Sequence, residues 1–259
     1  MKTAQLLLFL AVICTACSKD SSDPKVLFDE TDPRLDAARF YFVDQSYYAV
    51  QYKYNGDGLL DSETQLLTNG QPLLTTTYKY KEQFLTEQRI SGNPKVTAFT
   101  YQYIKDTLVS VDYHDFQLPP DHLHFTRSYS YPEKGIVKIV EQDVLTKTTQ
   151  HIYLFIRDGN IVKTKVLDPV TDQVKEETAF EYDQHPNPYS GLTGKGDYMK
   201  FYSANNVTVE RTLFRNSASV NQEVRYEYEY SPGGWPLKKH QVLGGSKKLL
   251  EQEYIYKGR

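Results

Sequence analysis

Three of the chain's six histidines lie between Asp112 and His124, in a stretch that also holds Asp115 and Asp121. On a strand, His122 and His124 would share a face, and His114 or Asp115 could approach across a hairpin. Imidazole and carboxylate together can hold a divalent metal. A closed metal site needs a third or fourth ligand, and the spacing here fixes none. The stretch is therefore read as a polar hairpin loop, and no metal or cofactor is expected. The turns Gly56-Asp57-Gly58 and Asp158-Gly159-Asn160 invite a calcium reading. They lack the ligand spacing of a calcium loop and fit hairpin turns instead. No nucleophile elbow, zinc-protease helix motif, P-loop or dinucleotide fingerprint occurs. Carboxylates are plentiful, but nothing selects a pair at glycosidase separation. No catalytic residue is assigned.

Both cysteines, Cys14 and Cys17, lie near the N-terminus. The rest of the chain therefore offers no disulfide and no thiolate. Met1 and Lys2 open a signal-like segment, and Leu6 to Ile13 form its apolar stretch. Eight residues are too few to cross a bilayer, which takes about 20, but they suit a secretory signal. Small residues at 15 and 16 precede Cys17 and resemble a lipobox, with Cys14 where Leu is usual. Residues 1–16 are read as a lipoprotein signal peptide. Residues 17–37 are read as a lipidated N-terminus and linker, and 38–259 as one β domain. Lipid attachment at Cys17 would make the membrane the first partner, with acyl chains contributing ~0.8 kcal/mol per buried CH₂. The expected location is the outer membrane, on its periplasmic or surface side.

A second candidate site is the segment from Asp183 to Asp197, with His185, two prolines, three glycines and Tyr189. Long loops on stiff β scaffolds often carry binding. His185, Asn187 and Tyr189 form a candidate partner-binding loop, with Tyr189 as its aromatic anchor. The alternative is that Tyr189 tucks under the sheet as a plug. A glycan or a protein would be the partner. A net charge of -3 gives no field to recruit nucleic acid.

These residues are set in a repeat. The chain has 22 tyrosines among 259 residues, and Tyr-x-Tyr or a near equivalent recurs. The pairs are 52/54, 78/80, 101/103, 129/131, 153/155, 180/182, 228/230 and 254/256, spaced by 23 to 28 residues except for one step of 48. Read as two steps, that gap predicts a degenerate copy near Phe201 and Tyr202. Turn residues follow the pairs, as in Asn55-Gly56-Asp57-Gly58-Leu59 and Ser231-Pro232-Gly233-Gly234-Trp235. A second turn divides each period, so each unit is two strands. Lys53, Lys79, Gln102, Glu181 and Glu229 lie between the aromatics and belong on the opposite, wet face.

The pattern Tyr-x-Tyr, Asp or Asn, then Gly-x-Leu resembles the YD-type repeats of Rhs-like proteins. It is closer still to short repeat lipoproteins of Bacteroidota in the DUF4595-like group. Phe180 to Leu192, with its Asn-Pro-aromatic core, is similar to a loop of that group. The resemblance covers roughly residues 47 to 257 and implies no established activity. The toxin-enclosing role of large Rhs proteins does not carry over, since the sequence closes on the strand Tyr254-Ile255-Tyr256.

Nine such units predict an all-β fold: a long antiparallel meander of about 16 to 18 strands. Open sheets rarely exceed ~10 strands, so it should roll into a curved sheet or barrel. The charged residues between the aromatics argue against a membrane-spanning barrel, whose outer face is apolar over ~25 Å. The leading expectation is a non-catalytic envelope lipoprotein with a structural or binding role. One alternative is a carrier holding an apolar ligand inside the rolled sheet. Another is a hydrolase with an unrecognised carboxylate site.

Overall fold

The computed structural model describes residues 34–92, 96–116, 122–195, 203–215, 221–244 and 246–257. Cys17 and most of the stretches read as signal peptide and linker lie outside the described residues. Sixteen strands follow one another: β1 (Leu35–Tyr41), β2 (Tyr47–Tyr54), β3 (Leu60–Leu66), β4 (Pro72–Lys81), β5 (Phe84–Ser91), β6 (Val96–Ile104), β7 (Thr107–Asp115) and β8 (His122–Glu133) form the first half. The second half is β9 (Ile136–Asp143), β10 (Thr149–Arg157), β11 (Asn160–Leu167), β12 (Val174–Pro186), β13 (Asn205–Phe214), β14 (Gln222–Tyr230), β15 (Pro236–Val242) and β16 (Lys248–Tyr256). Each strand pairs antiparallel with its sequence neighbours, and β1 pairs with β16 to close a barrel. The all-β meander and its closure are as the repeat predicts. β1 begins at Leu35, inside the stretch read as linker, and its buried Leu35 and Ala38 belong to the core.

Two expectations about the repeat need correction. The described residues form eight two-strand units, not nine. The 48-residue step is a single unit with an insertion between β12 and β13, which pair directly with each other. Phe201 and Tyr202 fall in that insertion, outside the described residues. The second correction concerns Tyr153 and Phe155. On β10 it is Ile152 and Leu154 that are buried. Tyr153 and Phe155 take the other face, where Lys138 lies over the first ring and Lys163 and Lys165 lie over the second. A pair of β-branched or aliphatic residues one position out of phase captured the interior.

Elsewhere the repeat sets the wall's polarity. Tyr52, Tyr78, Tyr254 and Tyr256 are buried, with Leu35, Leu60 and Leu85 beside them. Val137, Ile139, Ile152, Leu154 and Ile161 continue the core on the other side. Lys53, Lys79, Gln102, Glu181 and Glu229 are all exposed. Cross-strand ion pairs run over this outer wall: Lys79 to Glu87 at 2.9 Å, Arg39 to Glu253 at 2.8 Å and Lys238 to Glu229 at 3.2 Å. Exposed pairs of this kind contribute only about 0–1 kcal/mol each. Their larger meaning is directional, because a charged side chain facing mid-bilayer lipid costs about 2–4 kcal/mol. At the Tyr-x-Tyr pairs other than Tyr153 and Phe155 the wall thus turns charge outward and rings inward.

One bond repeats along the inner wall. In six pairs the second tyrosine sends its hydroxyl to the backbone carbonyl of an apolar residue at the first or second position of an earlier strand. Tyr54 donates to Leu35 O at 2.8 Å, Tyr80 to Leu60 O at 2.7 Å, and Tyr103 to Leu85 O at 2.9 Å. Tyr131 donates to Leu108 O at 2.9 Å, Tyr182 to Ile161 O at 2.6 Å, and Tyr256 to Pro236 O at 2.7 Å. A register shift falls just before the second tyrosine in β2, β4, β6, β12 and β14. Such bulges sharpen local twist, which helps a long meander curl. The turn after each pair also recurs. Asn55 Oδ1 accepts from Asp57 N and Leu59 N at 3.0 Å each, and Ser231 Oγ accepts from Trp235 N at 3.1 Å.

Candidate functional site

The β12–β13 connection is the feature that departs from the repeat, and its described part, residues 187–195, crosses one end of the barrel. Asn187 holds its first turn, accepting from Tyr189 N at 3.1 Å and donating from Nδ2 to Ser203 O at 2.8 Å. The chain then crosses to the far wall. Leu192 O accepts from Leu60 N at 2.8 Å, and Lys195 exchanges bonds with Gln83 O at 3.0 Å and Leu85 N at 3.1 Å. The Tyr103 hydroxyl reaches Lys195 O at 3.0 Å. Gly194 has φ +64°, and a Cβ there would lie 2.4 Å from Gln83 O. Only glycine lets the two backbones approach this closely.

Of the two placements weighed for Tyr189, the ring lies beneath the sheet. It packs edge-on to Tyr52, centroids 6.2 Å apart, and against Tyr254 at 6.1 Å. Gln252 Nε2 donates to its hydroxyl, and the Tyr52 hydroxyl lies 3.5 Å away. Removal from water pushes the Tyr189 and Tyr254 phenols well above the usual tyrosine range. His185 also stays on the protein, stacked on Tyr230 with centroids 4.0 Å apart. Tyr230 in turn donates to Asp183.

Tyr189 divides the lumen. On one side is a cavity of ≈ 290 Å³ among β10 to β16, walled by Leu154, Phe180, Tyr228 and Tyr254, with Asn206 and Lys239 as polar groups. On the other is a cavity of ≈ 360 Å³ among β1 to β5. Its walls are Phe40, Tyr48, Val50, Tyr52, Leu74, Ile90 and Tyr189, with Glu63, Gln65 and Thr76 as the polar groups. Phe40 and Tyr48 stack face to face at 5.1 Å and 9°. Phe42, 54 % exposed at the β1–β2 tip, touches Tyr48 with centroids 5.8 Å apart. Val43, Leu67 and Leu73 are exposed at the same end of the barrel. The second cavity therefore lies toward an apolar rim, away from the end that residues 187–195 cross.

The ionisable groups that line the interior are mostly committed. Arg127 pairs with Glu141 at 2.7 Å, and Gln150 donates to the same carboxylate at 2.9 Å. Lys239 meets Glu251 at 2.6 Å and lies over the Tyr226 ring at 3.7 Å. Every resolved carboxylate shift among the described residues is downward, as for Glu223 beside Arg211 and Arg225. A general acid working near neutrality needs the opposite. The described histidines of the 112–124 stretch form no metal-binding cluster. His114 stacks on Phe116, His124 packs edge-on to Tyr113, and no group of three or more metal-binding side chains occurs among the described residues. The side chain of His122 lies outside what is described.

The inner polar groups Glu63, Gln65 and Lys239 went unnoticed in the sequence. The signal lay in the turn grammar: each bulge shifts the alternation by one, so Glu63, not Ser62, shares the inner face with Leu60.

No protein-family model matches the sequence, and no characterised protein matches it. Membership of the YD-repeat or DUF4595-like group therefore stays a resemblance. Among solved structures the chain is similar to a porin-like protein from Bacteroides uniformis, at 12 % identity and a TM-score of 0.43, over 86 % of this chain and 98 % of that one.

Proposed function

We propose that this chain is a non-catalytic envelope lipoprotein, held at the outer membrane through Cys17, whose barrel binds a small, largely apolar ligand in its lumen. The observation that carries the binding half is the inverted wall. Most of the repeat's rings face inward around two cavities of ≈ 290 and ≈ 360 Å³, and the charged residues between the paired aromatics, such as Lys53, Lys79 and Glu229, face outward. Ligand pockets commonly span about 300–1,000 Å³ and combine apolar walls with a few placed polar groups. Gln252, Asn206, Gln65 and Thr76 are polar groups of that kind. The non-catalytic half rests on the sequence, in which no recognised catalytic motif occurs. In this reading Tyr189, put forward from the sequence as a partner-contacting residue, faces the ligand. Asn187 and His185 hold the segment that delivers it.

Small apolar probes such as benzene and cyclohexanol, titrated into the mature protein, test the proposal. Ring resonances of Tyr52, Tyr189 and Tyr254 should shift saturably, and thermal unfolding should rise with probe concentration as mass action requires. If no probe moves those resonances or the melting temperature, the lumen is only a core and the binding half is wrong.

A further inference from the structure

The smaller cavity is bordered by two oxygens that the fold leaves unused, and their kind points to a ligand class. Most of its polar side chains are spent inside the protein. Tyr228 donates to Val207 O at 2.9 Å, Tyr182 donates to Ile161 O at 2.6 Å, and Lys239 pairs with Glu251 at 2.6 Å. Two groups on β16 differ. Tyr254 is 7 % exposed, and its hydroxyl makes no hydrogen bond among the described residues. Gln252 is 6 % exposed and gives its amide N–H to the Tyr189 hydroxyl, which leaves its carbonyl oxygen as an acceptor. The two residues are two apart on one strand and share its inner face, opposite Ala38 and Phe40 of β1. Neither oxygen is sealed in protein, and both residues border the cavity walled by Leu154, Phe180 and Tyr228.

A hydroxyl and a carbonyl removed from bulk water cost free energy until a partner reaches them. Water can bridge them in the free protein, and a ligand that displaces the water must reproduce its bonds. A ligand hydroxyl does so with one atom: its oxygen accepts from the Tyr254 hydroxyl, and its proton goes to Gln252 Oε1. A ketone or an ether accepts but brings no proton for Gln252. A carboxylate brings none either, and Lys239, the cation in this wall, is already taken by Glu251. The side chains of Leu154, Phe180 and Tyr228 suit an apolar ligand body. We propose that the cavity bounded by Phe180, Tyr228, Gln252 and Tyr254 is a binding site for a small ring compound carrying one uncharged hydroxyl, of the phenol or cyclic-alcohol class.

This deepens the lumen-binding reading and rests on it, so the test separates the two. Phenol, toluene and anisole are titrated into the full mature protein, followed by calorimetry and by tyrosine ring NMR. Toluene lacks the oxygen, and anisole keeps the oxygen but lacks its proton. Phenol should bind roughly fivefold more tightly than either, the worth of one net hydrogen bond, with shifts centred on Tyr228 and Tyr254. Tyr254→Phe removes an unbonded hydroxyl, so its circular dichroism and melts should match the parent protein. It should bind phenol no better than toluene. Should the variant not fold, the order of the three compounds in the parent protein decides alone. Equal affinity for the three, a phenol preference that survives in Tyr254→Phe, or shifts centred on Tyr48 in the other cavity overturns the hydroxyl site and leaves apolar binding standing. Failure of all three, and of benzene and cyclohexanol, overturns both.

Discussion

The hydroxyl of Tyr256 donates to the carbonyl oxygen of Pro236 across 2.7 Å, in a position where the ring is 1 % exposed. The same bond links Tyr80 to Leu60 and Tyr182 to Ile161, so it belongs to the repeat and not to one corner of it. Pro236 opens β15 beside a bulge, where its carbonyl accepts the bond from Tyr256. The tyrosine supplies that bond and fills the space under the turn with its ring. This explains the tyrosine at the second position of six pairs; Phe155, the one phenylalanine there, lies on β10, where Leu154 holds the interior instead.

Replacing Tyr256 with Phe should therefore cost about 1–3 kcal/mol, the penalty for a buried acceptor left unsatisfied. Tyr131→Phe should cost less, because Tyr131 is 38 % exposed and water can take over the bond to Leu108. Urea melts of the two variants give the comparison, and equal losses would mean that the rings alone matter.

Tyr189→Ala should cost on the order of 3 kcal/mol or more, as buried aromatic truncations do. The ring packs on Tyr52 and Tyr254, and its loss would merge the two cavities. Val170→Ala, at a tip that is 89 % exposed, should stay within about 0.5 kcal/mol. Chemical unfolding followed by circular dichroism measures both.

Gly194→Ala should loosen the loop from the barrel. The new methyl would meet Gln83 O and sit at a φ that disfavours any side chain, a combination costing about 1 kcal/mol or more. Faster proteolysis within residues 187–204, with the β-sheet signal retained, is the expected result.

Alkaline pH should destabilise the barrel through its tyrosines. Burial raises Tyr48, Tyr113 and Tyr182, and pushes Tyr226 up to about 12, because the ionised phenolate is poorly solvated there. A raised folded-state value means the neutral form is favoured by folding. The corresponding stability is complete below the unfolded value, near 10, and drains away as pH climbs toward 12. Tyrosinate absorbance should rise late and together with loss of structure; titration of most tyrosines near 10 in a folded barrel would contradict the burial pattern.

Cys17→Ala should move the protein from the membrane to the soluble fraction, and intact-mass analysis of the native protein should show acylation at Cys17. An unmodified cysteine would remove the anchor from the proposed function.

Much of the fold was legible in the sequence because two signals agreed. The Tyr-x-Tyr spacing located the even-numbered strands, and Asn55-Gly-Asp-Gly and Ser231-Pro-Gly-Gly located turns that form as read. The count failed at one place, since an inserted segment of nearly one period's length mimics a missing copy. The site was less legible for a physical reason. A strand's alternation can be projected only as far as its next bulge, and each bulge exchanges inside for outside. Glu63, Gln65 and Lys239 all lie beyond one. Tyr153 and Phe155 misled for a related reason: the aromatic signature persists on β10 although Leu154 holds the interior.

The closure of the sheet also has a kinetic side. Fifteen of the sixteen strand pairings join neighbours in sequence, and the remaining one, β1 to β16, joins residues more than two hundred positions apart, as Arg39 and Glu253 show. Local hairpins can zip in succession from any starting point, but the seam must gather nearly the whole chain first. Its entropic cost grows only slowly with length, by about 0.6 kcal/mol per doubling, so the ring loses little stability by closing over such a distance. It gains the disappearance of both sheet edges, which would otherwise invite pairing with another copy. The seam is thus the part of the wall where folding should finish and where unfolding should start.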